Sequence, residues 1–355
     1  MPKSIALIGP YPPPYGGVSV HIKRLFHRLK DSGYVPRVYC QPLPPDRIEP
    51  GIIPTRGRFT WKWWLLEQSW RPQPAIIHCH DGWHWSFDLW WMVLRGKRVV
   101  MTLHDQLTHT KFADTPAISQ RAARLLFCSP RVEWIAVSAN VHEQLLELGA
   151  RPEKIQIIPA FILPPQAESN RTTLPDALKH FADQHRPLLV TYGWHLWLDA
   201  NGQDVYGFDL CIELVRALKL EFSGIGLVIL LPQIGDANYF QELQCRVREF
   251  NLQTNILFWT EPLDEPHRLW ARADVFVRAT ITDGDALSVR EALSLCVPVV
   301  ASDASPRPDG VVLVPMRNLN ALRAAVQNII LNQSNVVRCA DQLDNFVSLL
   351  AMYER

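Results

Sequence analysis

The chain has 355 residues, 48% hydrophobic and 20% charged, with 36 basic and 35 acidic side chains and a formal net charge of +1. That length exceeds what one core usually takes, so two domains are expected, and the composition is that of an ordinary globular protein. It excludes a disordered or polycationic chain: no basic block stands out, and no nucleic-acid partner is expected.

Seven cysteines stand at 40, 79, 128, 211, 245, 296 and 339, with no CxxC pair. An odd, scattered set in apolar surroundings fits free thiols in a reducing compartment. The start, "MPKSIALIGPYPPP", lacks the apolar core and cleavage site of a signal peptide. No run approaches the roughly 18 apolar residues of a membrane span, and a cytoplasmic protein is expected.

In chain order, apolar strand-like runs alternate with amphipathic stretches, the grammar of parallel sheets with helical crossovers. The first strand is predicted at "SIALIG". In "GPYPPPYGGVSVHI", Gly9, Gly16 and Gly17 flank a proline-stiffened loop that leads into "VHIKRLFHRLK", where Ile22, Leu25, Phe26 and Leu29 recur at helical spacing. Such a loop suits close approach of a ligand to a helix N-terminus, and equally a plain strand-to-helix turn. It is not GxGxxG, and no acid about 20 residues on holds a ribose, which argues against a nicotinamide cofactor. Further strands are predicted at "RVYC", "AIIHCH", "RVVMTLH", "WIAVS" and "IQIIPA".

Thirteen tryptophans cluster in "WKWWLLEQSW" (61–70) and "GWHWSFDLWW" (82–91). Amphipathic helices packing indoles into a core explain them; so does a membrane-surface face or a platform for sugar rings. "HCHDGWHW" has the look of a metal cluster. However, His78 and His80 on a strand share one face while Cys79 takes the other, and no second ligand group has zinc spacing, so no metal is expected. "VVMTLHDQ" ends a strand with His104, which is either a satisfied structural histidine or a group that polarises a hydroxyl. "SANVHEQLLELGA" reads as a helix capped by Ser138 and ended by Gly149.

"LPPQAESNRTTLP" carries no period and reads as a linker. The grammar then restarts, with strands at "LLVTYG", "GLVILLP", "NILFWT", "DVFVRA", "PVVAS" and "VVLVP". Helices are expected at about 207–219, 238–250, 264–272, 286–295 and 317–332. The predicted architecture is α/β: two Rossmann-like domains facing a central cleft, at 1–165 and 186–335, a linker at 166–185, and a C-terminal segment, 336–355, whose helix is expected at 336–353 and packs back on the first domain. Ligands in such folds bind beyond the C-terminal strand ends. "DGDALSVRE" lies there. Asp283 or Asp285 could cap the helix that begins near Ala286. Alternatively, the glycine loop and first-turn amides receive phosphate or sugar oxygens while Glu291 faces the ligand.

Together, "GPYPPPYGGVSVHI", "TLHD", "VSANVHEQLLELGARPEKIQIIPA", "LVILLPQIGDANYFQELQ" and "DGDALSVREALSLCVPVVASD" resemble retaining glycosyltransferases of the GT-B fold, family 4 type (glycosyl transferases group 1), over most of the chain. That family carries a Glu, seven residues, then a Glu; Asp283 and Glu291 stand at those places. The resemblance implies transfer of a sugar from a nucleoside diphosphate sugar to a glycan or lipid-linked acceptor, with retention and no metal. It makes the first domain the acceptor side and the second the nucleotide-sugar domain. It places Asp283 and His104 beside the transferred sugar, Glu291 on the ribose, Gly284, Asp285, Ala286, Leu287 and Ser288 around the diphosphate or sugar, and Gly16, Gly17 and Gly193 near the donor. The family's Arg and Lys beside the diphosphate are replaced by Trp194 and Tyr206. Arg278, at the end of "DVFVRA", and Arg290 are the expected substitutes, with Arg290 alternatively pairing Asp283 or Asp285. The alternatives are a catalytically inactive nucleotide- or glycan-binding protein on the same fold and a sugar-nucleotide epimerase of related architecture. Peripheral contact with the inner membrane face is the variant raised by the tryptophans.

Overall fold

Apolar runs too continuous to alternate sides belong in sheets covered on both faces, and here they form two all-parallel sheets. The computed structural model describes residues 3–13, 16–41, 43, 48–55, 70, 72, 74–80, 86–104, 112, 115–163, 173–264, 266–283, 286–332 and 344–355. The chain divides into two units, Met1–Pro165 with Asp344–Arg355, and Gln166–Leu343.

The first unit contains β1 (Ser4–Ile8), α1 (Gly17–Asp31), β2 (Val35–Cys40), β3 (Ile52–Pro54), β4 (Ile76–His80), α2 (Ser86–Leu94), β5 (Arg98–Leu103), α3 (Ala117–Phe127), β6 (Val132–Ala136), α4 (Ala139–Glu147) and β7 (Ile155–Ile157). Its seven strands run in the order β3-β2-β1-β4-β5-β6-β7. Period-two alternation sends Ile5 and Leu7 of β1 into one core, with Ile22, Leu25 and Phe26 of α1, and Ala6 and Ile8 into the other, with Trp134. Ser138 caps α4 by accepting from the Val141 amide at 3.4 Å, and Gly149 takes the left-handed φ of +95° that ends it.

The second unit contains α5 (Asp176–Gln184), β8 (Leu188–Tyr192), α6 (Phe208–Leu218), β9 (Gly226–Leu230), α7 (Ala237–Glu249), β10 (Ile256–Trp259), α8 (His267–Trp270), β11 (Val275–Arg278), α9 (Leu287–Ser294), β12 (Val299–Ser302), β13 (Val311–Val314) and α10 (Leu319–Leu331). Its six strands run in the order β10-β9-β8-β11-β12-β13, with apolar cores on both faces. The chain then returns to the first unit as α11 (Phe346–Glu354), which buries Phe346, Leu349, Met352 and Tyr353 against Ile5 and Leu7.

Some expectations change. The range 166–185, read as linker, contains α5, whose Leu178 and Ala182 join a core cluster of the second unit. Strand β3 and helix α3 were not foreseen. The cysteines are not all free thiols: 40, 79, 128, 211 and 245 are free, and Cys296 is disulfide-bonded. Residues 61–69 of the first tryptophan cluster and 82–85 of the second lie outside the described residues. Of the three described tryptophans of these clusters, Trp90 packs inward and donates to the Ala122 carbonyl at 3.0 Å, while Trp70 and Trp91 are exposed, with Trp70 stacking on the Arg95 guanidinium.

Candidate functional site

Strand order reverses between β8 and β11 in the second sheet and between β1 and β4 in the first, and the carboxyl ends at such reversals are where parallel sheets leave room for ligands. Both carry polar clusters.

In the second unit, β11 ends on Arg278. Its guanidinium grips Asp283 with Nε on Oδ2 at 2.9 Å and Nη2 on Oδ1 at 3.1 Å, while Nη1 donates to the Tyr192 carbonyl that ends β8. Arg307, from the loop after β12, donates to the same carboxylate at 2.8 Å and also to Thr280 Oγ1 and the Ser302 carbonyl. The three side chains are nearly buried. Burial alone would raise the Asp283 pKa; Arg278 and then Arg307 override it and hold the carboxyl at about 2. Two guanidiniums on one carboxylate leave the cluster one positive charge in excess.

Arg278 is therefore not the uncommitted cation expected from the sequence, and Asp283 is held by Arg278 and Arg307 rather than by Arg290, which lies half-buried on α9. Nor does Asp283 cap that helix: Ala286 is its N-cap, with no side-chain bond, and Leu287 and Ser288 form the first turn. Among the described residues no side chain caps this helix start, and first-turn amides of this kind favour anions. Gly284 and Asp285 lie outside the described residues. Glu291 is buried on α9, where one carboxylate oxygen accepts from Trp270 Nε1 at 2.7 Å. Trp270 is itself wedged against Tyr192 and Phe276.

Gly193 follows β8, and a Cβ there would come within 2.7 Å of the Tyr206 and Phe208 rings, so glycine is required by the protein's own packing. Tyr206 fills that space, with the Arg278 guanidinium 5.2 Å above its ring. Asp204 accepts from the backbone amides of Tyr206, Gly207, Phe208 and Asp209, tying off the turn into α6. Trp194 is exposed beside His195.

In the first unit, Gly16 and Gly17 open α1, and among the described residues nothing beyond the chain neighbours and the helix's own backbone lies within 4 Å of where either Cβ would stand. Four histidines gather at the same edge. His78 is fully satisfied, by Tyr353 Oη at 2.5 Å and Thr102 Oγ1 at 2.7 Å. His80 Nδ1 faces His104 Nε2 at 3.0 Å, and His21 Nδ1 meets the Ala160 carbonyl at 2.5 Å. Burial first, then the neighbouring imidazoles, lowers His78 and His80 well below the usual histidine range. Burial and then His104 lower His21 to about 3, against the opposing Ala160 carbonyl. These three rings are therefore neutral at ordinary pH. Among the described residues, Nε2 of His21 and Nε2 of His80 are buried without hydrogen-bond partners, each costing about 1–3 kcal/mol if left so.

The sequence had singled out His104, Asp283, Arg278 and Glu291, but not Arg307, Trp270, Asp204 or His21. Arg307 sits in "ASPRPDG", a proline-flanked loop with no periodicity to flag it, and only the fold brings it to Asp283.

Two doubly covered parallel sheets, each with a polar cluster at its strand-order reversal, define a GT-B type α/β protein. The Glycosyltransferase Family 4 model matches residues 15–163 and the Glycosyl transferases group 1 model residues 200–342, and the chain belongs to the GT-B glycosyltransferases of family 4 type. No curated protein matches the sequence. Among solved structures it is similar to HepE of Anabaena in complex with UDP, with a TM-score of 0.73, 14% identity, and 99% of this chain and 98% of that one covered. A glycosyltransferase from Rickettsia africae gives 0.72, 15%, 99% and 98%. The sucrose-phosphate synthase of Thermosynechococcus elongatus gives 0.66, 17%, 99% and 98%. No helix among the described residues is long and apolar enough to cross a membrane.

Proposed function

We propose that the protein transfers a sugar from a nucleoside diphosphate sugar to a hydroxyl of a glycan or lipid-linked acceptor, with retention at the anomeric carbon. The observation that carries this reading is the Arg278–Asp283–Arg307 cluster, one positive charge in excess, at the carboxyl edge of the second sheet beside the start of α9. Relatives of the same fold crystallised with UDP and with UDP-glucose support a uridine nucleotide as the donor's base.

In this reading the bond from the anomeric carbon to the diphosphate breaks, a bond to the acceptor oxygen forms, and the acceptor's proton leaves with the diphosphate. The developing charge on the leaving group is met by the guanidinium pair and the first amides of α9, Leu287 and Ser288 included, aimed before the reaction begins. Asp283 keeps both guanidiniums in place at the transferred sugar. Glu291, held by Trp270, accepts ribose hydroxyls. Gly16 and Gly17 give a ligand room at the start of α1, and His104 polarises a sugar hydroxyl. Protein cations and amides take the part a metal plays elsewhere, so transfer is expected to proceed without any added metal ion.

A second reading, an inactive nucleotide- or glycan-binding protein, is favoured by Trp194 and Tyr206 at the positions where the resemblance implies Arg and Lys, and by the three bonds that Arg278 already spends inside the protein. The test is a melting-temperature panel of nucleotide sugars followed by release of free nucleoside diphosphate with an acceptor extract. A shift with acceptor-dependent release supports the enzyme, a shift without release the binder, and no shift with any nucleotide contradicts both.

A further inference from the structure

Three of the four clustered histidines are arranged as ligands rather than as satisfied core groups. His21 comes from α1, His80 ends β4, and His104 follows β5. One ring nitrogen from each lies within 4.8 Å of the others, the only such group of three potential ligands among the described residues. From these residues we infer that His21, His80 and His104 form a binding site for a divalent first-row transition ion of the zinc class.

The nitrogen-only donor set suits Zn2+, Co2+ or Ni2+ rather than Mg2+ or Ca2+, which take oxygen ligands. His21 has the local arrangement of a metal-bound imidazole: Nδ1 is fixed on the Ala160 carbonyl, which sets the tautomer, and buried Nε2 has no partner. His80 Nδ1 and His104 Nε2 stand 3.0 Å apart. Two ligands at that separation, each about 2.0–2.1 Å from an ion, subtend roughly 90–95°, and opening to the roughly 3.3 Å of a tetrahedral pair takes only a small ring rotation. Closing the widest pair from 4.8 Å asks for a further inward movement of about 1.5 Å to that tetrahedral spacing. His78, engaged at both nitrogens, is not a ligand; it backs the His80 ring, with centroids 4.2 Å apart. His104 is only partly buried, which gives an ion a way in. Three protein ligands leave a coordination position for water.

Binding is independent of sugar transfer. If the proposed role of His104 is right, an ion on its Nε2 would withdraw it, and transfer would be inhibited by Zn2+; that consequence alone rests on the transfer reading. The test uses the full chain, stripped of metal and titrated with Co2+ and then Zn2+. Expected are one ion per chain, visible absorption from Co2+ in a nitrogen environment, and imidazole 15N shifts confined to three of the twelve histidines. His21→Ala and His80→Ala should each weaken binding at least about tenfold, while His180→Ala, on the exposed face of a helix in the other unit, should not. Failure of the wild-type protein to take up either ion overturns the inference without recourse to variants. So do shifts at histidines other than these three, or uptake that survives both substitutions.

Discussion

At the scale of single residues the account rests on one carboxylate between two guanidiniums. Removing its charge strands both: Asp283→Asn should destabilise the protein by about 3–5 kcal/mol in chemical denaturation, the usual result of breaking a buried ion pair from one side. Arg307→Ala leaves Asp283 its bidentate Arg278 and should be milder for stability, but under the proposed function it should slow transfer by about 10²–10³-fold, the cost of losing one aimed donor. The Asp283 pKa of about 2 lies below the ordinary carboxylate value, so its contribution is complete above about pH 4 and is lost as pH falls toward 2. Glu291→Ala should weaken nucleotide binding at least tenfold in titration calorimetry, because charge-assisted bonds contribute roughly 1.5–3 kcal/mol each. An unchanged affinity would remove Glu291 from the site. The sequence singled out Asp283 and Glu291 because they stand where the family resemblance implies a pair of acids with seven residues between them. It could not expose Arg307, 24 residues from Asp283, or Trp270, since contacts of that range belong to the fold and not to any local pattern.

At the scale of elements, legibility followed periodicity. The buried strands read directly as apolar runs, and α4 announced both its ends through Ser138 and Gly149. Strand β3 is three residues long and ends on a proline, too short to show alternation. Helix α5 has only Leu178 and Ala182 fully buried, so its polar sequence resembled the linker before it. The turn into α6 was also opaque, because its capping acid, Asp204, lies ahead of a glycine whose need is set elsewhere. Gly207 has φ +69°, and a Cβ there would meet the Ala279 carbonyl oxygen at 2.2 Å. Gly207→Ala should therefore cost well over about 1 kcal/mol, beyond what backbone entropy returns, and should lower the melting temperature of the second unit. Ser138→Ala, by contrast, should cost about 1 kcal/mol, the value of an ordinary N-cap.

At the scale of the whole molecule, the buried histidines give stability a direction with pH. Groups with folded pKa values below the unfolded value of about 6.5 leave stability complete above that pH, and it declines as pH falls beneath, by about 1.4 kcal/mol per pH unit for each group that must stay neutral. His21, His78 and His80 act together here, and the decline should begin about 2.5 pH units above the onset of the Asp283 transition, visible as a falling urea midpoint below about pH 6.5. A midpoint constant from pH 7 to 5 would mean that these rings are not buried neutral. The two units were legible from length and from the restart of the strand–helix grammar, whereas the gathering of α1, β4, β5 and α11 around four histidines was not, since it depends on strand order. The central claim, sugar transfer from a nucleoside diphosphate sugar, is tested most directly by acceptor-dependent release of UDP from UDP-sugars, measured for the wild-type protein and for Glu291→Ala. The account predicts release that requires the acceptor and falls at least tenfold in the variant. Nucleotide binding with no release under any donor and acceptor combination would contradict it.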